Sequence, residues 1–140
     1  MFRSLECCIG WRANREDGDA SRLADDRAAA QIGLMLHPST WLKPVPQGLY
    51  CEPGDFFIDP LRPVDRAVIT HAHSDHARPG HGSVLASTDT LALMRARMGQ
   101  DRAGTTQQAL GWGEALRVGD VRLWLEPAGH VLGSAQVAME

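Results

Sequence analysis

Residues 70–82 read THAHSDHARPGHG and hold four of the chain's six histidines together with Asp75, directly after the apolar run Ala67, Val68, Ile69. That run, bounded by Arg66 and Thr70, predicts a buried strand over 66–70. Such a strand ending in H-x-H constrains the fold. Residues two apart in an extended chain project to the same side, as two ligands of one metal must, so the strand has to deliver His71 and His73 to a shared point. Neutral imidazole offers a lone pair near neutral pH, and a neighbouring carboxylate adds an anionic donor. Asp75 and His76 follow where the chain can turn into a helix or tight loop, so they can face the same point from another direction and a second metal can sit beside the first. The ordinary alternative is a solvated polar loop. Against it, H-x-H-x-D-H arises by chance on the order of once in a thousand such chains, and four adjacent titratable groups otherwise bring little packing.

Composition bounds what surrounds this motif. The chain has 140 residues, 44% hydrophobic and 22% charged, which suits one domain with a moderate core. No window approaches the roughly 18 apolar residues of a membrane span, and Cys7, Cys8, Ile9 is too short for a signal peptide, so a cytoplasmic location is expected. Three cysteines (Cys7, Cys8, Cys51) fit neither a disulfide framework nor the paired C-x-x-C of a zinc ribbon. Any metal is therefore left to His and Asp. A formal net charge of −3 does not announce a nucleic-acid binder, although a local arginine patch is compatible with it.

Along the chain, residues 1–36 read as an extension, with one Ala-rich helix expected from Asp19 or Ser21. From His37 short strands alternate with Pro and Gly. A hairpin is expected of Gly48 to Cys51 and Phe56 to Asp59, joined at EPGD with Pro53 presetting the turn and Gly54 taking positive φ. SVLAS predicts a buried strand and TDTLALMRARMG a helix, with Ser87 or Thr88 as N-cap and Gly99 as terminator. Leu91, Met94 and Met98 share one face of that helix, a spacing that serves core packing. A second hairpin turns at Gly119 and Asp120 and runs to Glu126, a Gly-rich loop carries His130, and a last strand begins near Gln136.

H-x-H-x-D-H is the signature of the metallo-β-lactamase fold, and the run GLYCEPGDFFIDPLRPVDRAVITHAHSDHARPGHG is similar to the DNA ligase-associated exonuclease branch. That branch is related to the β-CASP nucleases and mRNA 3′-end processing factors. The resemblance covers residues 37–140 and implies an α/β fold, an αββα sandwich with metals at one edge between two sheets. It implies His71, His73 and His130 on a first metal and Asp75 and His76 on a second, with Asp75 also orienting the attacking water. Asp59 matches the family's first motif, where it orients ligating histidines by hydrogen bonding. His37 and His81 are assigned to the surface.

The activity implied is hydrolysis of a phosphodiester at DNA ends, with two Zn²⁺ (or Mn²⁺) activating a water, and with a DNA ligase as functional partner. Arg62, Arg66 and Arg78 are candidates for phosphate contacts, although solvated or ion-paired arginines explain each as well. Family members continue past GHVLGSAQV to a bridging carboxylate and further histidines. This sequence is accordingly expected to supply the N-terminal half of the sandwich, to leave the apolar surface of its last strand uncovered and to be weakly active alone, one zinc being retained by three histidines. Two other readings remain open: an RNA 3′-end-processing nuclease or another hydrolase of this fold, and a non-catalytic metal-binding remnant.

Overall fold

Ala67, Val68 and Ile69 are all fully buried, yet they alternate between two different cores. That is the behaviour of a strand covered on both faces. The computed structural model describes Trp11 and residues 37–140; the helix expected within 19–36 lies outside the described residues. After a short 3-10 turn, Pro38–Thr40, the chain forms β1 (Leu42–Val45), β2 (Gly48–Cys51), β3 (Phe56–Ile58), β4 (Arg66–Val68) and β5 (Ser83–Ala86). Helix α1 (Thr88–Met98), β6 (Thr106–Ala109), β7 (Leu116–Val118), β8 (Val121–Pro127) and β9 (Ala135–Met139) follow. The first six strands make one sheet in sequence order, antiparallel from β1 to β3 and parallel from β3 to β6, while β7-β8-β9 form a separate antiparallel sheet.

The alternation along β4 and β5 sorts the layers. Val68 and Leu85 point with Cys51 and Phe56 toward Leu116, Val121, Leu123 and Leu125 of the second sheet. Ala67, Ile69, Val84 and Ala86 point the other way, onto Leu91 and Met94 of α1. Among the described residues the order is therefore helix, six-stranded sheet, three-stranded sheet. Met98 is only partly buried against this core, so the expected apolar face of α1 is realised by Leu91 and Met94 first.

Several expectations are met and others are corrected. The Ser87 cap, whose hydroxyl accepts from Thr90 N–H, and the Gly119 turn occur as read. The β2–β3 hairpin forms, but its second strand ends at Ile58, because Asp59 turns to φ 43°, and the strand expected over 66–70 ends at Val68. In the EPGD turn the positive φ falls on Asp55 (49°), not on Gly54. Gly54 is required instead for space, because a Cβ there would stand 2.3 Å from the Phe56 ring. Strands β1 and β6 were not anticipated: Pro44 obscures the first, and Thr-Gln-Gln-Ala gives the second no apolar period. Both are edge strands, where proline and polar residues are tolerated. The last strand starts at Ala135, one residue earlier than expected. Its Val137 and Met139 pack on the inter-sheet core, and the outward face of the second sheet carries Arg122, Glu126 and Gln136, with Trp124 under the Arg122 guanidinium. That face is thus mainly polar.

His37 is exposed as expected, but His81 is not a surface residue; only 2% of it is accessible. It lies between the lead-ins to β4 and β6: Val64 N–H donates to its Nδ1 at 3.4 Å, and its carbonyl accepts from Thr105 N–H at 3.2 Å. Burial pushes its pKa below the ordinary imidazole value. The neutral ring is thus the folded form, whereas the unfolded chain takes up the proton, so stability is lost as the pH falls through the ordinary imidazole range. Stability should drop between pH 7.5 and 5, by at most about 1.4 kcal/mol per pH unit for this one proton. His81→Asn, which keeps an acceptor for Val64 without titrating, should flatten that slope in urea unfolding at a series of pH values. An unchanged slope would remove His81 from this role.

Candidate metal centre

The C-terminal ends of parallel strands β3, β4 and β5 open on one side of the sheet, and there Asp59, Thr70 to His76 and Ser87 leave their strands. The β8–β9 loop brings His130 to the same place from the second sheet. The two are joined by the Ala135 N–H, which donates to the Thr70 carbonyl at 2.9 Å.

His71 Nε2 lies 3.2 Å from His73 Nδ1, and the His130 ring centroid is 5.0 Å from each of theirs. Nitrogen donors of these three residues all fall within 4.8 Å of one another. A tetrahedral ion with metal–nitrogen bonds of about 2.0–2.1 Å places its ligands about 3.3 Å apart, so the pair His71–His73 already has the required spacing. Three nitrogen donors with an open fourth side form a set that fits a transition-metal ion. His71 is buried, whereas His73 and His130 are exposed and face the opening.

Hydrogen bonds decide which nitrogens are bare. Asp59 Oδ1 accepts from Thr70 N–H at 2.8 Å, and Asp59 Oδ2 accepts from the Thr70 hydroxyl at 2.6 Å. With its proton committed to Asp59, the Thr70 oxygen takes the Nδ1–H of His71 at 2.9 Å. The His71 lone pair is thereby placed on Nε2, toward His73. His76 Nδ1 lies 2.8 Å from Asp59 Oδ2, so that its proton faces the carboxylate and its Nε2 is bare. One carboxylate fixes both tautomers, as carboxylates behind ligating histidines do. Burial, followed by the nearby His76, lowers the pKa of His71 and keeps it a neutral donor.

Asp59 reaches this place through its backbone. It has φ 43°, uncommon for a residue other than glycine, and its N–H donates to Val68 O at 3.0 Å. The left-handed turn lifts the side chain off the end of β3 onto the exit of β4, a local strain of the kind found at functional sites.

The segment after His73 is a tight turn, with His76 and Ala77 N–H both donating to His73 O. This turn brings Asp75 Oδ2 to 3.6 Å from His76 Nε2. Asp75 is largely exposed, and its carboxyl is held below the ordinary range by its own backbone N–H first and then by the surrounding histidines. A second group of potential ligands comprises Asp59, His71 and His76. It shares His71 with the first, and Asp59 is already engaged by Thr70 and His76.

His71, His73, His76, His130, Asp59 and Asp75 are therefore gathered at one edge, with Asp75 beside His76 but in neither group of close donors. The arginines divide. Arg66 sits at the opposite end of β4, bonded to Asp55 at 2.7 Å and stacked over Trp11, so it does not face the centre. Arg62 is exposed, and Arg78 is half-buried, with its Nε out of water. Sequence reasoning missed Arg97, whose guanidinium donates to Ala77 O. Together with Ala72, His73, Leu93, Ala96, Val131 and Leu132, it lines an open groove of about 550 Å³ beside His73. The i, i+3, i+4 spacing of Leu93, Ala96 and Arg97 was visible, but it gained meaning only once α1 lay against the histidine loops.

No protein-family model matches the chain. Over 94 residues, 66% of its length, the chain is 38% identical to a probable DNA ligase from Opitutus terrae. The matched stretch is 9% of that protein, so the chain spans a small part of its curated relative. Among the described residues no helix is long and apolar enough to cross a membrane.

Asp59→Asn is expected to weaken transition-metal binding by about 10- to 100-fold, because one amide oxygen cannot replace the two carboxylate oxygens that accept from Thr70 N–H on one side and from the Thr70 hydroxyl and His76 on the other. Competition against a chromophoric chelator measures this. An affinity equal to wild type would show that Asp59 does not orient the ligands.

Proposed function

We propose that the chain carries the metal-binding part of a phosphodiester hydrolase acting on DNA ends, of the ligase-associated exonuclease type within the metallo-β-lactamase fold. The observation that carries this reading is the trio of His71, His73 and His130 at metal-ligand spacing, backed by the Asp59–Thr70 relay. The helix–sheet–sheet layering supports the fold, being three of the four layers of an αββα sandwich, with the histidines at the edge between the sheets. The similarity to part of a probable DNA ligase supports DNA as substrate. End trimming and end joining act on the same termini, so a shared segment is chemically sensible.

His71 through Nε2, His73 through Nδ1 and His130 would hold the ion, with zinc favoured by an all-imidazole set. A bound divalent ion would supply Lewis acidity toward a phosphate oxygen and a lowered pKa for water. Asp59 keeps His71 and His76 in the binding tautomer. Asp75, exposed beside His76, would orient the attacking water. Arg97 lines the groove beside His73 and would offer the guanidinium N–H groups not given to Ala77 O to a phosphate bound there.

Among the described residues a second ion could draw on His76 Nε2 and Asp75, since the other members of its group are already engaged. Two ligands are too few to fix two ions about 3.5–4 Å apart. One ion and slow turnover are therefore expected of this chain. Incubated with end-labelled DNA and Zn²⁺ or Mn²⁺, it should shorten the DNA from an end slowly, less so as salt rises, and leave β-lactams intact. His73→Ala should abolish the activity and lower bound zinc. Cleavage of RNA with none of DNA would move the protein to the RNA-processing branch. Wild-type zinc content without cleavage of either would favour a binding role.

A further inference from the structure

His130 is the one member of the histidine trio supplied by the second sheet, and it is exposed, so its backbone determines where its ring stands. That backbone is anchored twice. Ser134 Oγ accepts the N–H groups of His130 (3.0 Å) and Val131 (3.1 Å), while Ser134 N–H donates to Val131 O and Ala128 N–H donates to Ser134 O. These bonds close the loop on itself. The second anchor lies outside the loop, at the start of α1. Ser87 Oγ donates to the Gly133 carbonyl at 2.6 Å, and Thr90 Oγ1 donates to the same oxygen at 2.9 Å.

Both hydroxyls are out of water: Thr90 is fully buried and Ser87 is 3% exposed. Helix capping accounts for the Ser87 oxygen as an acceptor of Thr90 N–H, but it has no use for the Thr90 hydroxyl. Gly133 adopts φ 76°, and a Cβ there would stand 2.6 Å from Thr90 N and 2.7 Å from Asp89 Cβ. The loop backbone thus lies directly on the first turn of the helix, with one carbonyl oxygen filling both lone pairs from it.

We propose that Thr90 and Ser87 are positioning residues of the metal centre: by clamping the Gly133 carbonyl they hold the loop where the His130 imidazole joins His71 and His73. Neither touches the ion; they act through Gly133 and Ser134. The proposal rests on the reading of the trio as a metal site.

The test uses the purified chain as wild type, Thr90→Val, Thr90→Ser, His130→Ala and Thr90→Val/His130→Ala. Zn²⁺ affinity is measured by chelator competition, the visible absorption of the Co²⁺-loaded protein reports ligand geometry, and thermal unfolding without metal reports the fold. Thr90→Val should bind zinc about tenfold more weakly and shift the cobalt spectrum toward that of His130→Ala, by analogy with other outer partners of ligands. Thr90→Ser should restore both. In the His130→Ala background the valine should cost no further affinity, because the clamp then has no ligand to place. Wild-type affinity and spectrum in Thr90→Val, or an equal loss in both backgrounds, would overturn the proposal. If His130→Ala itself binds zinc like wild type, the metal reading fails and the clamp with it. Should Thr90→Val not fold, Thr90→Ala is read through the same cycle.

Discussion

The carboxylate of Asp59 is the point on which the site turns. It accepts from Thr70 N–H, the Thr70 hydroxyl and His76 Nδ1–H, and through Thr70 it also sets the proton of His71. These contacts tie the end of β3 to the exit of β4. A parallel neighbour makes them possible: Phe57 and Ile58 pair with Ala67 and Val68, so the two strands finish side by side. An antiparallel partner would have ended at the other edge of the sheet. The left-handed backbone of Asp59 is the local cost, of order 1 kcal/mol or more, and charge-assisted hydrogen bonds of 1.5–3 kcal/mol each are of a size to offset it.

A centre assembled from two sheets depends on their relative placement. Val68 and Leu85 of the first sheet meet Leu123 and Leu125 of the second in one core, and their main chains meet at the centre where Ala135 bonds Thr70. At the far end, the tip of the second hairpin locks onto the first: Asp120 N–H donates to Pro53 O, and a Cβ on Gly119 would lie 2.4 Å from that same oxygen. The sandwich is thus pinned at both ends. His130, arriving from the second sheet, can then hold its distance to His71 and His73 on the first within the tolerance that metal coordination would demand.

The candidate ligands were legible because side-chain chemistry and spacing are local properties. Two histidines two apart after an apolar run carry their own geometry, and the strand, the helix and its Ser87 cap follow from neighbouring residues. What was not legible depends on elements that meet only after folding. The polar TQQA segment becomes β6 because β5 offers it a parallel edge, and LKPV becomes β1 because β2 pairs with it despite the proline. His81 resembles His37 in sequence surroundings rich in polar and turn residues, but the lead-ins to β4 and β6 close over it. Arg66 is near the motif in sequence and a strand length away in space. The clamp at Gly133 was hidden for the same reason, since Ser87 and Thr90 lie over 40 residues before it.

The histidines also show why the remainder of the domain is built as it is. His71 Nε2 and His73 Nδ1 face each other at 3.2 Å, a separation that one shared proton bridges between two neutral rings and that also suits two ligands of one cation. His71 is held there by Thr70, His76 by Asp59 and the His130 loop by Ser134. The arrangement stands on two apolar cores that flank the central sheet. A cation entering the trio would meet donors already ordered by folding, which lowers the ordering cost of binding it.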